Sequence, residues 1–223
     1  MRALVLLSGG VDSTIMLHQA LRKYDEVCAV FFDYGQTNVW AELQAAKEIA
    51  KRREVELHCL GIAGAVCGIP EETPKPGTSF GINRANMPAR NMVLLASAAS
   101  LAGALWSEPE ACVLGKATNV CLLLGATFED QGSFPDCRRA FQKAASAAVA
   151  AALDGVVMAC VLFPLWRHSK GHLIKTATAE ELEDIELAVS CYDANGPCHE
   201  CDACRVRAKA FADARMEDAG VRG

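Results

Sequence analysis

Apolar residues in this chain gather into short compact runs, and segments with helical spacing lie between those runs from the first residues onward. Ala3 to Leu7 has the length and continuity of a strand covered on both faces. A glycine turn follows, and then a helical pattern through Ile15, Met16, His18, Gln19 and Leu21. Val27 to Phe32 repeats the strand signal and ends at Asp33-Tyr34-Gly35-Gln36, and Val39 to Arg53 has the Ala, Leu, Glu and Lys content of a helix. Val55 to Ile62 and Val156 to Phe163 are further strands. Asn91 to Leu105, Phe141 to Leu153 and the acidic stretch Thr178 to Leu187 are further helices. Alternation at this spacing predicts an α/β fold of Rossmann type, a parallel sheet flanked by helices, with right-handed crossovers and ligands at the carboxyl ends of the strands.

Three stretches break the alternation. Residues 68 to 88 carry several Pro and Gly with Ser, Thr and Asn, and read as a long loop, of a length suited to a lid. Ala111 to Gly115 and Val120 to Gly125 are two similar apolar runs in succession, of which one is the expected strand. Ser190 to Cys204 is crowded with Cys, Gly and Pro and has no apolar period, so something other than a hydrophobic core should hold it. The expected organisation is an α/β domain over 1–189, followed by a four-cysteine segment and helix over 190–223.

Composition narrows the partners. With 52% hydrophobic and 22% charged residues, the chain of 223 residues suits a core-forming globular protein. A formal net charge of -5 advertises no basic face for a nucleic-acid backbone, so a small-molecule substrate is expected. The opening apolar run is too short for a signal peptide, and no stretch has the ~18 apolar residues of a membrane span. Eleven cysteines in a chain of this size read as reduced thiols with some metal binding, and the expected location is cytoplasmic.

Chemistry concentrates at two places. Ser8-Gly9-Gly10-Val11-Asp12-Ser13-Thr14 lies between a strand and a helix, where backbone N–H groups and the helix dipole converge on one spot and favour an anion. An ordinary glycine turn with Asp12 or Ser13 as a cap is the plainer alternative. The string lacks the Gly-Lys-Ser/Thr ending of a Walker loop; the one Gly-Lys pair, Gly115-Lys116, precedes Ala117. It resembles instead the PP-loop of the ATP pyrophosphatases, a setting in which Asp12 becomes a partner for magnesium. Near the other end, Cys191, Cys198, Cys201 and Cys204 supply four thiolates, the number that closes a structural zinc site. A disulfide pair or an iron–sulfur cluster would use the same residues. Cys28, Cys59, Cys67, Cys112, Cys121 and Cys160 lie mainly in apolar contexts and read as small core residues. Cys137, in the polar turn Phe134-Pro135-Asp136-Cys137-Arg138, is either structural or at a site edge.

Taken in order, these motifs resemble the 7-cyano-7-deazaguanine synthases, the QueC/ExsB family of the queuosine pathway, over essentially the whole chain. The matching pieces are Ser8 to Ser13, Asp33 to Gln36 with Glu42, Pro88-Ala89-Arg90-Asn91, Gly125 to Asp130, Phe134 to Phe141, Pro164-Leu165 with Lys170, and Ser190 to Cys204 with Arg207 and Phe211. The resemblance implies a fold like the adenine-nucleotide α-hydrolases, a structural zinc ion, ATP with Mg2+ as co-substrate, and a homodimer. The implied reaction joins 7-carboxy-7-deazaguanine and ammonia into the nitrile through adenylated intermediates, with AMP and pyrophosphate released.

Carried over by position, Leu7, Ser8, Gly9, Gly10, Val11, Asp12, Ser13, Thr14, Ile15, Met16 and Leu17 would hold the nucleotide. Asp12, Ser13, Arg90, Asp136, Arg138 and Lys170 would form the catalytic set, with Arg90 and Lys170 on the phosphate oxygens and Arg138 steering the substrate carboxylate. Asp130 would face the substrate or the metal. For each alone, a surface salt bridge is the plainer reading. The chain departs from the family pattern at Ala89, where a glycine usually precedes Arg-Asn, at Phe134, where a tyrosine is usual, and in an extra segment at 110–124. A relative that adenylates the same kind of acid but delivers it to another amine, such as one on a protein, would carry every motif quoted. Other ATP pyrophosphatases and a zinc-dependent module that binds ATP without turnover are the remaining rivals.

Overall fold

The structure, a computed structural model, describes residues 1–63, 65, 87, 89–108, 117–193 and 196–221. Most of the 68–88 loop, Pro88, Cys67, Cys112, Gly115, Lys116 and the run from Ala111 to Gly115 lie outside the described residues.

Five parallel strands form one sheet in the order β3-β2-β1-β4-β5. They are β1 (Arg2–Leu6), β2 (Glu26–Asp33), β3 (Glu56–Gly61), β4 (Asn119–Leu123) and β5 (Met158–Leu162). In register, Leu4 lies between Cys28 of β2 and Leu122 of β4. The second of the paired apolar runs is therefore the interior strand β4, beside the central β1. Side chains of β1 alternate between two cores, as strand geometry requires. Ala3 and Val5 face one cluster with Ile15, Met16 and Leu17, whereas Leu4 and Leu6 face the other with Leu94, Leu95 and Val161. Both faces are covered, which is why this strand reads as an unbroken apolar run.

The helices are α1 (Val11–Lys23), α2 (Val39–Arg52), α3 (Arg90–Trp106), α4 (Asp130–Ser133), α5 (Arg139–Ala152), α6 (Lys170–Lys175), α7 (Ala179–Ile185) and α8 (Asp202–Ala214). Long amphipathic helices are where the 3.6-residue pattern placed them: α3 buries Leu94, Leu95, Ala98, Ala99, Ala102 and Trp106 along one stripe. The turns α4 and α6 carry no such stripe. Gly171 gives α6 its close seat on α8, because an added Cβ would stand 2.8 Å from Asp213 Cβ and 3.2 Å from the Ala210 carbonyl. Ala210, Phe211 and Ala214 of α8 belong to the same core as β1 and α1. None of the described helices is long and apolar enough to cross a membrane.

Chain direction away from the sheet centre reverses between β1 and β4, the position where open parallel sheets form a ligand crevice. The loop after β1 enters α1, and the loop after β4 presses on it: a Cβ at Gly125 would come within 3.2 Å of Ser13 N. Gly9 holds the other side, with a φ of +78° and a virtual Cβ 2.4 Å from the Glu42 carbonyl. Ala89, just ahead of α3, also adopts the left-handed conformation, at φ 58° and ψ 20°. That explains the glycine usual at this position, since an L side chain costs about 1–2 kcal/mol there.

These two backbones give predictions of opposite sign. Gly9→Ala should lower the unfolding free energy by more than about 2 kcal/mol, because neither the φ nor the contact tolerates a methyl group. Ala89→Gly should raise stability by about 0.5–1 kcal/mol. Urea unfolding of both variants checks the pair, and a stabilised Gly9→Ala protein would contradict this view of the loop.

Candidate active site

The crevice is a cleft of about 770 Å³ lined by residues from every layer of the fold. Its floor is the loop after β1. Ser8 N donates to Ser13 Oγ at 3.2 Å, Ser13 Oγ donates to the Gly10 carbonyl at 3.0 Å, and Gly10 N donates to Ser8 Oγ at 3.3 Å. These bonds curl the loop so that Gly10 precedes α1 without any side-chain cap. The first amides of the helix are thereby left for an anion. Leu7, Ser8, Gly10, Val11, Asp12 and Ser13 line the cleft. Ile15, Met16 and Leu17 instead point into the core, and Thr14 is fully buried with its hydroxyl on the Gly10 carbonyl. Gly9 acts through its backbone, accepting from Val189 N at 2.9 Å. The expected nucleotide stretch thus splits into a lining and an anchor.

Above the loop, Lys170 Nζ donates to Asp12 Oδ2 at 2.6 Å and stands 3.8 Å from Asp130 Oδ1. Asp130 is fixed by its other oxygen, which accepts from Thr127 N at 2.8 Å and Thr127 Oγ1 at 2.7 Å. Glu129 accepts from Lys170 N at 3.0 Å, so it sits at the start of α6 and sets the lysine's place. Burial alone would pull the Lys170 ammonium down; Asp12 and then Asp130 outweigh it and hold the group above its ordinary range, charged at neutral pH. Burial raises the Asp12 carboxyl, opposed by Lys170 and reinforced by Asp130 and Glu129. Asp12 Oδ1 is buried and has no hydrogen-bond partner among the described residues. A carboxylate oxygen of that kind, beside a second carboxylate, fits a divalent cation.

Arg90 forms the opposite wall. Its Nη1 donates to Tyr34 Oη at 3.1 Å, and its guanidinium lies 5.2 Å from the centre of that ring. The turn after β2 holds Glu42 nearby: Gln36 Nε2 donates to Glu42 Oε2 and Asn38 Nδ2 to Glu42 Oε1, both at 3.0 Å. Burial raises the Glu42 carboxyl, and those two amides, with Arg90, oppose it. Gln36 belongs to the Asp33–Gln36 motif, whereas Asn38 carried no signal of its own in the sequence; the geometry shows that both hold Glu42.

Asp136 and Arg138 are not brought into the cleft lining. Asp136 turns towards α3, where Oδ2 accepts from Asn91 N at 3.1 Å, capping the helix that carries Arg90. Arg138 is exposed and donates from Nε to the Gln131 carbonyl at 2.9 Å. Cys137 does line the cleft, but burial, then Asp130 and Asp136, push its thiol up to about 12, so it is no thiolate at neutral pH.

The four-cysteine segment closes the cleft's far rim. The Sγ atoms of Cys191, Cys198, Cys201 and Cys204 lie within 4.8 Å of one another, with Cys198 and Cys204 at 4.0 Å. Zn–S bonds of about 2.3 Å put tetrahedral sulfurs ~3.8 Å apart, so this arrangement fits a single ion, whereas a cluster would spread its ligands further. Backbone N–H groups of Cys198, Cys201 and Cys204 point at the sulfurs of Cys191, Cys198 and Cys201 respectively, at 3.3–3.4 Å. The strap from Val189 to Tyr192 runs from this centre across the loop. Asn38 Nδ2 donates to the Cys191 carbonyl at 2.6 Å and Thr37 Oγ1 to the Tyr192 carbonyl at 2.7 Å. Buried Arg207 donates to Asp218 at 2.6 and 2.9 Å and to the Ile185 carbonyl at 3.2 Å, tying α8 to the segment ahead of the strap. Elsewhere, Cys121 and Cys160 face each other across β4 and β5 with Sγ atoms 3.2 Å apart.

Comparison with known proteins places this architecture. The model of the family described as "Queuosine biosynthesis protein QueC" matches residues 2–215. A 7-cyano-7-deazaguanine synthase of Ectopseudomonas mendocina (strain ymp) is 35% identical over 236 residues, covering 98% of this chain and 96% of the relative. Its counterpart in Nitrosomonas europaea is 35% identical over 231 residues, covering 97% and 95%. Among solved structures, the U34-tRNA thiolase NcsA from Methanococcus maripaludis with its [4Fe-4S] cluster aligns at a TM-score of 0.41 and 13% identity, over 95% of this chain and 64% of that one. On the family match and on relatives that share its whole length, the chain belongs to the QueC family of queuosine biosynthesis proteins.

Proposed function

We propose that the chain is an AMP-forming ligase that converts 7-carboxy-7-deazaguanine and ammonia to 7-cyano-7-deazaguanine. The observation that carries the reading is the convergence, in one cleft, of the uncapped start of α1, the Lys170 ammonium on Asp12, and Arg90. Relatives that are 7-cyano-7-deazaguanine synthases support the product.

A carboxylate is a poor electrophile because oxide and hydroxide are poor leaving groups. Attack of its oxygen on the α-phosphorus of ATP forms a P–O bond, breaks the bond to the β-phosphate, and leaves an acyl adenylate. Ammonia then adds at the acyl carbon, AMP departs, and a proton is lost from nitrogen to give the amide. In a second round the amide oxygen attacks ATP, and loss of AMP and the remaining N–H protons leaves the nitrile.

For these steps the loop amides of α1 would hold the pyrophosphate portion, and Lys170 and Arg90 would stabilise charge on the phosphate oxygens as it builds. Asp12, through the oxygen that is free of hydrogen bonds among the described residues, and Asp130 would hold the magnesium that accompanies ATP. Magnesium, when bound, neutralises charge on the departing pyrophosphate. Glu42, made more basic by burial, is the carboxylate suited to take the ammonium proton. Asp136 acts as a positioning residue, since it fixes the helix start that presents Arg90. The four cysteines would hold zinc, which takes the place of a hydrophobic core in keeping the strap over the loop.

Product analysis with ATP, magnesium, ammonium and the acid tests the reaction: about two AMP per nitrile are expected from the two adenylations, and ADP with phosphate would overturn it. One AMP per product with the amide as end point would assign the protein the shorter reaction. Lys170→Met should lower kcat for AMP formation about 100- to 1000-fold, as loss of one preorganised charge does elsewhere; a loss below about threefold contradicts its role. Cys201→Ser should remove about one zinc per chain, lower the melting temperature and slow pyrophosphate release together, because the strap rests on that ion. Zinc loss with an unchanged melting temperature contradicts the structural role.

A further inference from the structure

At the opposite end of the sheet from the cleft, three different donor atoms meet. Cys28 on β2 is in register with Glu56 on the edge strand β3, and His58 follows two residues later, opposite Val30. Strand periodicity sends residues 56 and 58 to one face, and Cys28 lies on that face beside Leu4, Val30 and Phe32. One ligand atom from each of the three lies within 4.8 Å of the others. Two ligands at i and i+2 of one strand plus one across the ladder make a compact tripod on a rigid support.

His58 Nε2 is a buried atom and makes no hydrogen bond among the described residues; it stands 3.5 Å from Glu56 Oε1. A buried imidazole nitrogen that faces a carboxylate without hydrogen-bonding to it asks for an explanation. The plainer reading, a core thiol beside a His58–Glu56 ion pair, gives that nitrogen a contact of 3.5 Å, longer than a good hydrogen bond. Glu26, the next carboxylate along β2, is committed elsewhere, accepting from Trp106 Nε1 at 2.6 Å and Arg2 Nε at 2.7 Å. Cys28, Glu56 and His58 therefore stand apart as a set.

We propose that Cys28, Glu56 and His58 form a second metal site, which takes zinc or a similar borderline-soft divalent ion with three protein ligands and one open position. A thiolate in the set selects against magnesium and calcium, and one sulfur, one nitrogen and one oxygen suit tetrahedral zinc. With one thiolate in place of four, its zinc exchanges more readily than that of the four-cysteine centre. The thiol must release its proton on binding, so occupancy falls as pH is lowered.

Zinc-loaded protein, freed of excess metal, would be titrated with Co2+ and followed by absorption. One further equivalent should bind with a thiolate-to-cobalt band in the near ultraviolet. Cys28→Ser should remove that band, and His58→Gln should weaken binding at least tenfold. Glu56 is exposed, so Glu56→Gln leaves folding intact and should weaken binding as well. Absence of any further equivalent, or a band that survives in both Cys28→Ser and Glu56→Gln proteins, overturns the site.

Discussion

The Lys170–Asp12 ion pair is the interaction on which the cleft depends. It joins the first turn of α1 to the first turn of α6, two elements separated by 158 residues, and places a cation over the anion-binding loop. Taking these charges out of water costs several kcal/mol per ion, which direct contact alone does not always return. The cost is met here by a wider set: Asp130 stands on the far side of the ammonium, Thr127 holds Asp130, and Glu129 holds the backbone of Lys170. One oxygen of Asp12 stays outside that set. The proposed function uses what that set leaves over, the loop amides for phosphate and this oxygen for a divalent cation.

A second constraint is spatial. Gly9 and Gly125 press the loop between the α2 backbone and the exit of β4, and the 189–192 strap covers it from above. The strap belongs to the four-cysteine segment, and the hydrogen bond from Val189 N to the Gly9 carbonyl joins that segment to the loop after β1. Asn38 spans the same gap, with its amide on both Glu42 and the Cys191 carbonyl. Metal binding at the rim and the placement of a cleft carboxylate are therefore one problem in packing.

Much of this was legible in the sequence, because its determinants are local. The strands appear as apolar runs since both sheet faces are buried, and the gathering of the four cysteines was legible because three of them lie three residues apart. Asp12 and Lys170 were identifiable from motif resemblance. What escaped was set by distant partners. Nothing next to Asp136 in the chain says that it will cap a helix 45 residues upstream. Nothing beside Arg138 says that it will donate to the Gln131 carbonyl. The short helix α6 has no apolar period of its own and is placed by the contact of Gly171 with α8. Asn38 is an ordinary polar residue until the fold shows that it holds Glu42, and the motifs containing Gln36 and Thr127 do not say which carboxylates those two hold.

The central claim is that the substrate's own carboxylate oxygen attacks the α-phosphorus held over this loop. It is tested most directly by supplying 7-carboxy-7-deazaguanine labelled with 18O in both carboxylate oxygens and reading the released nucleotide and pyrophosphate by 31P NMR. The account predicts that 18O appears in the phosphate of AMP from both rounds and never in pyrophosphate. Unlabelled AMP, or label in inorganic phosphate formed alongside ADP, would contradict it.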